Sequence, residues 1–185
     1  MQPVILWDDN LNNPLKQWVI TIHKSLVYED IDRFTYKHVE GSGSADPKQR
    51  NAVSADTSEH LDGSVIERYT EYRHAKLCKL IQSALESEES TTADDIAPSE
   101  EPSFIYTLNI QKETKDALRR PLAEFMHRFL VWGVLYDWYS QFGLQQAGVY
   151  GSELGELEAE IDAIVRGPSI VKRPLQPFGP AEKIY

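Results

Sequence analysis

The chain has 185 residues, 41% of them apolar, and a formal net charge of −10. That length suits one domain with a single packed core, and the acidic balance argues against general affinity for a phosphate backbone, which needs clustered Lys and Arg. A mean hydropathy of −0.44, with no apolar run of about 18 residues, argues against an integral membrane protein.

Met1 to Asp9 carries no basic segment and no small-residue cleavage site, which reads against a signal peptide. The single cysteine, Cys78, excludes an intrachain disulfide and fits a reducing compartment. Its spacing beside Leu77 and Ile81 suits a small hydrophobe on a helix rather than a reactive thiol.

Pro14 opens the first helical pattern. Leu15, Trp18, Val19, Ile22, Leu26, Ile31 and Phe34 recur near helical spacing, which predicts a helix over 14–39. The β-branched cluster Val19-Ile20-Thr21-Ile22 equally suits the start of a strand. Gly41-Ser42-Gly43-Ser44 ends the pattern and begins a polar stretch, about 41–63, with too little apolar content to pack.

A second helix is predicted over 64–86, with Ser64 and Glu67 in a capping-box pattern and Ile66, Tyr69, Leu77, Leu80, Ile81 and Ala84 along one stripe. The stretch 87–103 is acidic, rich in Ser and Thr, and broken by Pro98 and Pro102, so it reads as a second long loop. Phe104 to Ile110 has the β-branched and aromatic content of a strand. One strand must satisfy its backbone groups elsewhere: against Pro3–Trp7, against Ser169–Val171, or against a neighbouring subunit.

The main helix is predicted over 121–142. Its segment Phe129 to Tyr139 leaves no clean polar face, so it must be covered on more than one side. A fourth helix starts at Ser152, with Leu154, Leu157, Ile161, Ile164 and Val165 on one face, and Gly167-Pro168 closes it. The proline-rich tail 168–185 should be an extended arm. The whole reads as a single, mainly α domain over 1–185: a bundle of about four helices with one or two short strands, long acidic or polar loops and a C-terminal arm.

Two Glu-x-x-His pairs, Glu71/His74 and Glu124/His127, have the spacing that places both side chains on one helix face in di-iron carboxylate bundles. Glu71, Glu124 and His127 point away from the apolar stripes of their helices, and the two motifs fall on successive helices rather than alternating. Surface or half-buried polar residues are therefore the simpler reading, with no catalytic, cofactor or metal residue assigned. Asp137, among Tyr136, Trp138 and Tyr139, needs an ion pair, with Arg120, Arg128 or Arg173 as candidates. Gly133, one turn earlier, leaves room for another backbone to approach. His23, His38 and His60 have no partner that spacing identifies.

The succession of the Phe104–Ile110 strand, Pro121-Leu122 opening a helix, the run Leu130-Val131 to Val134-Leu135-Tyr136-Asp137-Trp138-Tyr139, the acidic helix from Glu153 to Val165, and the tail Val171-Lys172-Arg173-Pro174-Leu175-Gln176-Pro177-Phe178 resembles small virion proteins of the head-to-tail region of tailed bacteriophages. The likeness spans residues 104–178. It implies a non-enzymatic connector, adaptor or neck protein, assembled in the host cytoplasm as a homo-oligomeric ring, commonly of twelve copies, between the portal and the tail. DNA would then be only a passing duplex, the acidic stretch 86–101 could face its channel, and no cofactor or membrane is involved. Contacts to neighbouring subunits would fall on Phe104, Tyr106, Leu108, Trp132, Tyr136, Trp138 and Tyr139, and on Lys172, Arg173, Leu175 and Phe178 in the arm. Two alternatives stay open: a cellular helical interaction module, and a metal-dependent helical-bundle enzyme built on the two Glu-x-x-His pairs.

Overall fold

A computed structural model describes residues 15–42, 60–92, 101–142 and 144–167, with side chains described from 15 to 35 in the first stretch and from 63 in the second. The chain is mostly helical, with one small sheet. Strand β1 (Leu15–His23) runs directly into helix α1 (Lys24–Ser42); helix α2 (His60–Leu80) is followed by strands β2 (Leu85–Ser90) and β3 (Ser103–Gln111). A single 3-10 turn, Asp116–Leu118, leads into helix α3 (Arg119–Gln141), and helix α4 (Gln146–Arg166) closes the described chain.

The predicted helix over 14–39 is therefore two elements. In β1, Trp18, Ile20 and Ile22 are buried while Val19 and Thr21 are exposed, an alternation of period two that only a half-buried strand produces. The β-branched cluster settles on the strand side because β3 supplies a partner. β3 is not an orphan: it is the central strand of an antiparallel sheet of order β1-β3-β2. Trp18 pairs with Leu108, Ile20 with Tyr106 and Ile22 with Phe104; Glu88 pairs with Tyr106 across the other side. Pairing with a neighbour is thus not needed to satisfy β3, and the alternative partners 3–7 and 169–171 lie outside the described residues.

Part of the second polar loop is also ordered. Its residues Ser87–Ser90 belong to β2, whose exposed sequence Leu-Glu-Ser-Glu-Glu-Ser has little strand character of its own. It is a strand because the free edge of β3 demands hydrogen-bond partners, and its glutamates leave a charged outer edge that discourages further pairing. Of the first polar stretch, 60–63 begin α2 and 43–59 lie outside the described residues. Helix α2 starts a turn before the capping-box pattern and stops at Leu80, six residues short of the prediction, where residues 81–84 turn into β2. Helix α4 begins at Gln146 rather than Ser152.

Helix α3 runs within two residues of its predicted bounds at each end, and it is covered as its sequence requires. Leu122, Met126, Phe129, Leu130, Val131, Gly133, Val134, Leu135, Trp138 and Tyr139 are buried. Helix α4 makes its most extensive contact, followed by α2 and α1, and β1 lies against it too. Burial of each large apolar side chain contributes about 1.5–3 kcal/mol, so α3 is the chief source of cohesion. Tyr139 stacks on Tyr150 of α4 with ring centroids 5.9 Å apart. Gly167 closes α4 with φ +68°, a left-handed value that a side chain disfavours. Among the described residues no helix is long and apolar enough to cross a membrane.

Candidate functional site

The two Glu-x-x-His pairs are dispersed by their partners. Glu71 accepts from Lys24 Nζ at 2.8 Å, and Lys24 also reaches Ser90 Oγ at 3.0 Å while lying 4.5 Å above the Phe104 ring. His74 is buried, stacked on Phe104 at 4.3 Å, and its Nδ1 lies 2.9 Å from the Tyr106 hydroxyl. Glu124 accepts from Arg120 at 3.3 Å on the surface of α3, and His127 Nε2 lies 2.9 Å from Asp30 on α1. The four residues do not converge on one point, so the di-iron arrangement has no geometric support among the described residues.

Asp137 has a partner that spacing did not offer. Arg73 of α2 donates through Nε and a terminal nitrogen to the two carboxylate oxygens, both at 2.6 Å, with the side chains only 5% and 17% exposed. This is the fork geometry that makes arginine–carboxylate pairs strong and directional. Gly133 makes it possible, though it admits a side chain and not a backbone: a Cβ there would lie 2.5 Å from Arg73 Cδ. Neither Arg120 nor Arg128 serves, and Arg173 lies outside the described residues.

Cys78 is half-buried beside His74, with Sγ 3.7 Å and 3.8 Å from the two ring nitrogens. Burial pushes its thiol up to about 12, helped by the nearby Glu88 carboxylate, so it is not an activated nucleophile. Burial likewise lowers the His74 imidazole, which is held neutral. His23 is accounted for by Ser103 Oγ at 3.0 Å and Glu101 at 3.7 Å; the side chains of His38 and His60 lie outside the described set.

The surface feature best suited to recognition is a cleft of about 580 Å³ between the end of β1, α1 and α3. Leu26, Phe34, Ala123, Val131 and Trp132 supply its apolar lining, and Arg33, Arg120 and Arg128 its cationic groups. The polar groups are largely engaged with one another: Arg33 and His127 share Asp30, Arg120 holds Glu124, and Arg128 lies 5.7 Å from the Trp132 ring. An apolar floor with paired charges at its rim suits a docking surface better than a reaction centre, which needs polar groups free to converge on substrate. Thr21 joins the cleft to the outer face of the sheet, where Leu15 and Val19 are 37% and 42% exposed and Ile105 and Thr107 are half-buried.

The contact residues expected from sequence divide sharply. Phe104, Tyr106, Leu108, Trp138 and Tyr139 are buried in the chain's own core. Trp132 lines the cleft, and Tyr136 lies at the surface 5.4 Å from the Arg73 guanidinium. Lys172, Arg173, Leu175 and Phe178 lie outside the described residues. Sequence reading missed Leu26, Phe34 and Val19 as surface candidates, because in a continuous helix over 14–39 they fall on the buried stripe.

In comparisons with known proteins, no family model matches the chain, and neither a curated protein nor a solved structure is found similar to it.

Proposed function

We propose that this chain is a non-enzymatic virion structural protein, a subunit of the head-to-tail connector ring between portal and tail of a tailed phage. The observation that carries the reading is the continuous surface from the outer sheet face into the α1–α3 cleft, which presents exposed apolar groups beside paired charges and holds no convergent catalytic set. Such a surface suits a neighbouring subunit in a closed ring, where one patch meets a different patch on the next copy. The resemblance over 104–178 supplies the rest: the ring, the portal and tail proteins as partners, and the arm 168–185 as a tether to the neighbour. A helical interaction module with a single cellular partner would use the same surface without self-association.

Light scattering coupled to size exclusion, run across concentration, tests this. The expected result is a discrete closed oligomer that Val19→Asp, on the exposed sheet face, and Trp132→Ala, at the half-buried cleft wall, reduce to a folded monomer. Deleting 168–185 should also give a folded monomer. A wild-type chain that stays monomeric both alone and when mixed with a portal ring overturns the reading.

A further inference from the structure

The geometry points to a transition-metal site, best suited to Zn²⁺, formed by His74 Nε2, Cys78 Sγ and a Glu88 carboxylate oxygen where helix α2 meets the edge strand β2. One ligand atom from each of the three residues, a ring nitrogen of His74 among them, lies within 4.8 Å of the others, the one such His/Cys/Asp/Glu group among the described residues. Bonds of about 2.0 Å to imidazole and about 2.3 Å to thiolate at a tetrahedral angle set nitrogen and sulfur about 3.6 Å apart. Here Sγ is 3.8 Å from Nε2 and 3.7 Å from Nδ1, so a metal on Nε2 requires the thiol to swing from beside the ring toward that nitrogen.

A second observation concerns how His74 is held. His74 is 7% exposed and stacked on Phe104, its Nδ1 lies 2.9 Å from the Tyr106 hydroxyl, and the thiol lies 3.7 Å and 3.8 Å from Nδ1 and Nε2. With Nδ1 engaged by the Tyr106 hydroxyl, Nε2 is the ring nitrogen left to coordinate, and a hydrogen bond from the second ring nitrogen to a protein oxygen is the usual arrangement around metal-bound histidines. The donor set of imidazole, thiolate and carboxylate matches a borderline-soft dication. Three protein ligands leave a fourth position for water, on the side where Glu88 is exposed.

The electrostatics agree. Burial, with the Glu88 carboxylate beside it, holds the Cys78 proton when no cation is present; a bound dication would displace that proton and be attracted by the same carboxylate. Lys24, whose charge acts on His74, is tied to Glu71 and Ser90. A metal here would pin β2, the strand with the least strand character, to the body of the protein.

Cobalt(II) titration of the reduced, chelator-treated full chain tests this directly. Cys78 is the sole cysteine, so any thiolate-to-cobalt charge-transfer band reports this position. One equivalent of Co²⁺ should give that band with intense tetrahedral visible absorption, and one equivalent of Zn²⁺ should bleach it. Cys78→Ser should abolish the band. Glu88→Gln, at an exposed position that leaves the fold intact, should weaken binding at least tenfold. No band in the wild-type chain, or unchanged affinity in Glu88→Gln, overturns the proposal.

Discussion

Helix α3 is joined to α2 on one side and to α1 on another by the same kind of contact, a nitrogen donor on one helix facing a carboxylate on the other. The two seams differ in everything around that contact. Between α2 and α3 the Arg73–Asp137 fork is enclosed, bidentate and seated against a glycine that gives it space. Between α1 and α3 the His127–Asp30 contact is single, its side chains 22% and 27% exposed, and it borders the cleft. An enclosed pair fixes how two helices sit, because neither group can be left alone without water. A half-exposed pair can be exchanged for solvent at little cost, which leaves its seam free to admit a partner.

The largest effect should come from Asp137→Ala, which leaves the Arg73 guanidinium buried without its partner. A loss of about 3–5 kcal/mol in chemical denaturation is expected, and a loss below about 1 kcal/mol would make the two seams equivalent. Next comes Gly133→Ala, whose added methyl collides with the Arg73 stem. Overpacking of about 1–3 kcal/mol should exceed the helix-propensity gain of up to about 1 kcal/mol. In an Arg73→Ala background the collision is gone, and the same substitution should become neutral or stabilising. That reversal isolates the role of the glycine. The smallest effect is expected for Asp30→Asn, about 0.2–1 kcal/mol by the same measurement; a loss matching that of Asp137→Ala would show the cleft seam to be as rigid as the closed one.

The seam that sequence reading located best is the one around α3. Its apolar run is long, strongly patterned and indifferent to what covers it, so Pro121 to Phe142 could be read locally. Asp137 was legible as a carboxylate in need of a cation, but Arg73 stands 64 residues away and no periodicity connects them. β1 failed for a related reason. Leu15, Trp18, Val19, Ile22 and Leu26 fit a helix while Trp18, Ile20 and Ile22 fit a strand, and only β3 decides between them. β2 offered no signal, since its glutamates and serines adopt extended backbone to satisfy a neighbour. Of the candidate metal ligands, His74 and Cys78 were each visible on one helix, four residues apart; Glu88 joins them only because the turn at 81–84 folds β2 back.

The strand order has a consequence in time. Among the described strands β3 is the last to leave the ribosome, yet both others pair only with it. β2 precedes it closely, so that hairpin-like pair closes a short loop. β1 must hold open for 82 residues before Ile22 can meet Phe104, and closing so long a loop is slow. Until Phe104 to Leu108 is synthesised the alternating face of Trp18, Ile20 and Ile22 has no strand to join. The nascent chain therefore carries a sticky segment through those 82 residues of translation, and a chaperone has that long to find it.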